Sequence, residues 1–133
     1  MKYVVDTHAL IWFLEGNSRL GTNAKTILAD SASQLILPAI ALAEAVWIVE
    51  RARTSIPSVT VLLNAVNADP RIAIYPVDKA VIEQSISLTS ITEMHDRLIV
   101  ATAIVLENKG EKIALLTCDR NIIASGLLTL VWE

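Results

Sequence analysis

The sequence predicts an α/β fold, a three-layer α/β/α sandwich built on a parallel, roughly five-stranded sheet. Strand-type and helix-type segments alternate along all 133 residues, and the strand segments are apolar on both faces, as strands covered by helices on each side must be. No repeat, low-complexity tract or linker divides the chain, so residues 1–133 are expected to form one domain.

Lys2-Tyr3-Val4-Val5 is a short β-rich run, and the helical character from Thr7 to Leu14 is broken by Gly16-Asn17-Ser18. Thr22 or Asn23 can cap a helix running to about Ala32. Gln34 to Leu37 reads as a buried strand, and Pro38 suits the first position of a long helix through about Arg53. Ser58 can cap a further helix that ends near Asp69-Pro70. Arg71 to Tyr75 is a third strand, closed by Pro76. Helices follow from about Asp78 to Leu88 and from about Thr92 to Asn108, with Gly110 as the C-terminal cap residue. Ile113 to Thr117 is a fourth strand, Asn121 to Ser125 a short helical turn, and Leu128 to Trp132 a fifth strand.

The apolar content of 53% is high. No stretch of about 20 uncharged apolar residues exists, because Pro38 and Glu44 interrupt the richest segment, and a membrane span is not expected. The N-terminus does not read as a signal peptide. The expectation is a cytoplasmic protein with some apolar surface hidden in an oligomer. The single Cys118 excludes an internal disulfide framework and a cysteine-built zinc cage. Eleven basic and fourteen acidic residues give a net charge of −3, which excludes a broad basic face. Setting aside four acids as a metal site leaves −3 + 4 = +1, so the remaining surface need not repel a polyanion.

Those four acids stand where a charge is costly. Asp6 ends the first strand and Asp119 lies just past the fourth. Ligands of open parallel sheets bind beyond the carboxyl ends of the strands, near a topological switch point. Two aspartates there converge if their strands are neighbours. Each also has a plain structural alternative, Asp6 as the N-cap of the helix from Thr7 and Asp119 as a turn residue. Glu44 sits in Ala39 to Val49, a helix apolar around most of its circumference and expected to be buried. Ile40 and Ile48, one turn away on either side, offer it no charge partner, which leaves a metal ion or a distant arginine such as Arg97. Asp96 opens another apolar helix, where the helix dipole by itself also favours a carboxylate.

Carboxylates meeting within about 6 Å repel by on the order of 3 kcal/mol per ionised pair at an effective dielectric near 20. Either the acids hold protons or a cation sits among them. Oxygen-only ligation selects a hard ion, Mg²⁺ or Mn²⁺. Such an ion completes its shell with phosphate oxygens, which points to phosphodiester hydrolysis. Asp6 and Asp96 are the expected direct ligands, with Glu44 and Asp119 binding metal or orienting water. Thr7 and Thr117 are placed to hydrogen-bond the carboxylates, and Asn121 to hold a water or a phosphate, each against simple cap or turn chemistry. The chain has no glycine-rich phosphate loop and no dinucleotide fingerprint. His8 is read as a locally packed residue, Cys118 as a small buried one, and Trp12, Trp47 and Trp132 as core or subunit-contact residues.

Four segments together resemble bacterial and archaeal PIN domains of the VapC toxin type. They are Val5-Asp6-Thr7-His8-Ala9-Leu10-Ile11-Trp12, Ala43-Glu44, His95-Asp96-Arg97-Leu98-Ile99-Val100-Ala101-Thr102-Ala103, and Leu115-Leu116-Thr117-Cys118-Asp119-Arg120. The resemblance covers essentially the whole chain. It implies a Mg²⁺- or Mn²⁺-dependent endoribonuclease on a parallel α/β/α sandwich, usually a homodimer, and commonly held by an antitoxin protein that obstructs the acidic site. The family's acidic quartet carries onto Asp6, Glu44, Asp96 and Asp119, and its motif threonine onto Thr117. Asn121 departs from many relatives, which place a further Asp there, and this bears on a second tightly held metal. Thr92-Glu93-Met94-His95 also lacks the His-Arg-Asp-Pro run of many relatives, which bears on RNA fit. Two other readings stay open: a PIN-like module that binds without cutting, and a nuclease acting on DNA or structured nucleic acid, since nothing in the sequence reads a 2′-hydroxyl.

Overall fold

Residues apolar on both faces take the middle of the sheet. In the computed structural model, which describes residues 1–133, β1 (Lys2–Val5) lies between β2 (Gln34–Pro38) and β4 (Ile113–Leu116). Val4, Val5, Leu35, Leu37, Leu115 and Leu116 are buried there. With β3 (Ile72–Tyr75) and β5 (Leu130–Val131) at the edges, the order is β3-β2-β1-β4-β5 and every pairing is parallel. Seven helices flank this sheet in the α/β/α arrangement. The edges are thinner than the run of apolar residues predicts. β3 exposes Ala73 and Ile74, and β5 is two residues long because its partner strand stops at Leu116, where Thr117 turns away to bond Asp6.

The helices α1 (Thr7–Glu15), α4 (Val59–Ala68) and α7 (Arg120–Ser125) start at side-chain caps, namely Asp6, Ser58 and Asp119. In α2 (Thr22–Ala29) neither Thr22 nor Asn23 is the cap. Gly21 is, and the carbonyl of Trp132 accepts the Ala24 N–H at 3.0 Å in place of a capping side chain. A Cβ at Gly21 would overlap that carbonyl, so the close approach of the C-terminal strand requires glycine. α2 also ends earlier than Ala32, where the Asp30 carboxylate accepts the Ala32 N–H and stabilises a turn.

Pro38 is the last residue of β2 and the cap of α3 (Ala39–Glu50), rather than its first helical residue. That helix stops at Glu50 with Arg51 as its C-cap, short of Arg53, and Ala52 takes a left-handed φ of 54°. α5 (Lys79–Ser85), capped by Asp78, ends short of Leu88, and α6 (Met94–Asn108) begins at Met94 rather than Thr92. The expectation that α3 is buried most of the way round is not met. Ala41, Ala45 and Val49 form its inner stripe, while Ala43 and Trp47 are exposed and Glu44 is half-buried between them. Alanine supplies much of that helix's apolar character, and small side chains do not force a face inward. No helix is long and apolar enough to cross a membrane.

The chain runs outward from β1 through β2 to β3 and then crosses to the other side of β1 for β4 and β5, which puts the switch point of the sheet at the carboxyl ends of β1 and β4. α3 packs against both α1 and α6 above that point.

Candidate active site

The register decides where the first two acids meet. Val5 lies opposite Leu116, so Asp6 and Thr117 leave the sheet side by side, and the Asp6 N–H still donates to the Leu116 carbonyl at 3.2 Å. Asp6 is 7% exposed. Its Oδ1 accepts the Thr7 N–H at 2.7 Å, and its Oδ2 accepts the Thr117 hydroxyl at 2.5 Å. Thr117 Oγ1 in turn accepts the Asp119 N–H at 3.0 Å. Asp119 Oδ1 accepts the N–H groups of Asn121 and Ile122 at 2.9 and 3.0 Å. On the other side, the Thr7 hydroxyl donates to Glu44 Oε1 at 2.6 Å. One hydrogen-bonded relay therefore runs from Glu44 through Thr7, Asp6 and Thr117 to Asp119. Three of the four buried polar residues in the protein, Asp6, Thr7 and Thr117, belong to it.

The cap role and the site role of the aspartates coincide. Asp6 and Asp119 each cap a helix through Oδ1, which fixes the carboxyl group while leaving lone pairs for something else. Asp96 stands in the first turn of α6 without such support.

All four acids line one cleft of about 890 Å³, together with Asn121. No lysine or arginine lines it. Arg97, the distant partner conceivable for Glu44, instead donates its Nε–H to the Ile91 carbonyl. The four ion pairs of the protein all lie among other residues.

This arrangement shows in the proton affinities. Burial raises the Asp6 carboxyl above the ordinary range, against the opposing hydrogen bonds from Thr117 and Thr7. The Asp96 carboxyl is pushed up to about 7 by desolvation and then by repulsion from Asp119, Asp6, Glu44 and Glu93. That is the signature of negative charge gathered without a counter-charge. The convergence is looser than the sequence led us to expect: no three His, Cys, Asp or Glu groups are set closely enough to enclose one ion. The donors nonetheless fit a hard divalent cation. They are anionic oxygens with no competing cation, and Mg²⁺ usually keeps several waters and takes only one or two carboxylates.

Sequence reasoning missed part of the lining. Cys118 is half-exposed at the cleft rather than buried, and its thiol is raised by burial and by the charges of Asp6 and Asp119. His8 is exposed and lines the cleft, with its ring 5.4 Å from that of Trp12. Trp12, Trp47 and Trp132 line it as well. Glu93, the N-cap of α6, and His95 in its first turn, joined by a 2.6 Å hydrogen bond, complete the rim. Their position directly ahead of Asp96 was the available signal.

A family model described as the PIN domain matches residues 3–125. No curated protein matches the chain. Among solved structures, the chain is similar to VapBC2 from Rickettsia felis bound to a DNA fragment from its promoter. That likeness has 18% identity and a TM-score of 0.71 and covers 100% of both chains. It is also similar to VapC20 from Mycobacterium tuberculosis, described as a sarcin-ricin loop cleaving toxin, at 17% identity and a TM-score of 0.69 over 99% of this chain and 100% of that one. A toxin–antitoxin complex from Klebsiella pneumoniae gives 19% identity and a TM-score of 0.67 over 98% and 96%. At these identities the likeness establishes the fold.

Proposed function

The chain belongs to the PIN domain family, and from that premise we propose that it is a divalent-metal-dependent endoribonuclease, the toxin of a toxin–antitoxin pair. The observation that carries this reading is the cleft at the carboxyl ends of β1 and β4, where Asp6, Glu44, Asp96 and Asp119 gather with no lysine or arginine among them. The solved structures it resembles include toxins and toxin–antitoxin complexes, which supports an antitoxin as partner. The protein acts in the cytoplasm on RNA, as a homodimer.

Asp6 and Asp96 would hold Mg²⁺ or Mn²⁺, with Glu44 and Asp119 completing the shell or orienting water. When bound, the ion supplies a counter-charge for the acids and a nucleophilic water for attack at phosphorus. The remaining work falls to the chain itself. Thr117 and the Thr7 N–H hold the Asp6 carboxylate in one orientation, and the Thr7 hydroxyl does the same for Glu44. Asp119 is fixed by its own helix and can accept a proton from a water in the cleft. Asp96 must release its proton before it can serve as a ligand, so metal uptake below about pH 7 is coupled to proton release.

The test is cleavage of an end-labelled RNA strand and a DNA strand of the same sequence, with Mg²⁺, Mn²⁺ or EDTA. Cleavage of RNA with either ion, none in EDTA, and a loss of at least about a hundredfold in Asp119→Asn are expected. Undiminished cutting in EDTA would overturn the metal mechanism, and preference for DNA would overturn the ribonuclease. The open spacing of the acids favours one other reading, a module that binds without cutting. Retention of RNA with no cleavage under any divalent ion would select it.

A further inference from the structure

The walls of the cleft differ in chemistry from its floor. Ala43, Glu44 and Trp47 of α3 all line it, so the helix carries an acid and, three residues on, an indole along the same cavity. Trp47 is 47% exposed, an unusual position for the largest side chain of a helix so rich in apolar residues. The Arg51 guanidinium lies 3.6 Å over the indole centroid, and Arg51 Nη1 donates to the Trp47 carbonyl at 3.4 Å. Arg51 is the C-cap of α3, where the helix dipole favours a cation. One face of the indole is thus covered by a planar cation, and the part of the ring that lines the cleft is what another planar group would meet.

Two more indoles line the same cleft. Trp12 and Trp132 meet edge to face at 6.0 Å, and the Arg19 guanidinium lies 5.9 Å from the Trp12 ring. The cleft therefore combines acids and indoles with no lining lysine or arginine, while Arg51 and Arg19 lie beside two of those indoles.

We propose that Trp47 and Arg51 form a stacking subsite for one unpaired base beside the reacting phosphate. This rests on the nuclease reading for the position of that phosphate. Charge complementarity selects the occupant. A strand places one phosphate where a divalent ion offsets the floor, and its neighbours reach Arg51 and Arg19 at the rims. Base pairing hides what the indole would bind. In a duplex both faces of a base are stacked, and the deep, narrow A-form major groove excludes side chains. An unpaired base offers a bare face to any aromatic platform, which makes the contact tolerant of sequence.

The experiment measures binding apart from cutting. Tryptophan fluorescence of the full protein is titrated at low salt, with Ca²⁺ as the divalent ion in place of Mg²⁺ or Mn²⁺ to hold cutting back, using an unstructured pyrimidine RNA oligonucleotide and the same strand annealed to its complement. Quenching by the single strand and at least about tenfold weaker binding of the duplex are expected. Trp47→Ala should weaken single-strand binding roughly tenfold or more, while Trp47→Phe, which keeps an aromatic face, restores most of it. Arg51→Lys should fall between them, having charge without a planar fork. With Mn²⁺ present, the loss in Trp47→Ala should appear in KM more than in kcat.

Equal binding of single strand and duplex, no binding of either, or undiminished binding by a folded Trp47→Ala protein would each overturn the proposal. Sedimentation separates the rival occupant: if Trp47→Ala dissociates a dimer and leaves RNA affinity intact, Trp47 is a contact between two copies. Binding without cleavage in the wild type with Mg²⁺ or Mn²⁺ overturns the nuclease reading and leaves the stacking subsite standing.

Discussion

Two groups of acids in this molecule sit close to the same sheet and meet opposite fates. Between α4 and β3, Asp69 is gripped by its neighbour Arg71 through Nε at 3.0 Å and Nη2 at 2.8 Å, and the same guanidinium donates to the Leu28 and Asp30 carbonyls at the end of α2. The Asp69 carboxyl is accordingly held below the ordinary range, chiefly by those hydrogen bonds. At the carboxyl ends of β1 and β4, Asp6 and Asp96 are both raised, and no arginine reaches them. The difference separates an acid whose charge the chain balances from acids whose charge it leaves unbalanced. The first receives its counter-charge from the chain two residues away. In the second group the chain supplies hydrogen-bond donors to Asp6 but no cation to either acid, so the gathered charge stays unpaired within the chain.

The sharpest way to break this comparison is to neutralise one acid in each region. Asp96→Asn is expected to abolish RNA cleavage, by at least about a hundredfold, while raising the melting temperature of the metal-free protein at pH 8, because one repelled charge disappears. Asp69→Asn should do the reverse, destabilising the fold with cleavage per folded molecule intact. If Asp96→Asn melts lower than the wild type in EDTA, the carboxylate is structural and the contrast fails.

Metal should act on one region alone. Mg²⁺ or Mn²⁺ at about 100 times its dissociation constant adds about 2.7 kcal/mol to the stability of the wild type. A matched titration of Asp96→Asn in a thermal melt should show most of that gain gone. An equal gain in both proteins would place the ion elsewhere. Arg71→Ala, by contrast, should cost about 2 kcal/mol through the lost charged hydrogen bonds and leave the metal-dependent gain unchanged, as read by denaturant unfolding with and without Mg²⁺.

Much of this was legible in the sequence, for reasons that are local. Central strands such as Val4-Val5 and Leu115-Leu116 are apolar on both faces, and that alone fixes a parallel sheet covered by helices. Asp6 and Asp119 were legible because an acid directly after such a strand has few other places to be. What could not be read depends on distant chain. The cap of α2 is a carbonyl from Trp132, supplied from the opposite end of the sequence, so Thr22 and Asn23 were misleading. The burial of α3 was overestimated because alanine and tryptophan count as apolar wherever they stand, and the cleft exposes both Ala43 and Trp47. Glu44 was therefore singled out by a burial it does not fully have, though the structure does bring it to the other acids through Thr7.

The smallest expected effect is also the one that separates the two regions by sign. Asp69 has a lowered carboxyl, so its stabilisation is complete well above 3.8 and is lost as pH falls through its folded value. Asp96 works in the opposite direction. Between the ordinary carboxyl value of 3.8 and about 7 the folded protein holds a proton that the unfolded chain has released, so stability declines as pH rises across that window and levels off above it. Asp96 is half-exposed, and solvent screening brings the decline to on the order of 1 kcal/mol, a few degrees in Tm. Melts in EDTA from pH 4.5 to 8 should show that decline in the wild type and a shallower one in Asp96→Asn, where the buried Asp6 still contributes. Saturating Mg²⁺ should flatten the wild-type curve, since a bound cation favours the same ionised state that the other acids oppose. A decline of equal steepness in both proteins would mean that the repulsion among these carboxylates is not what Asp96 feels.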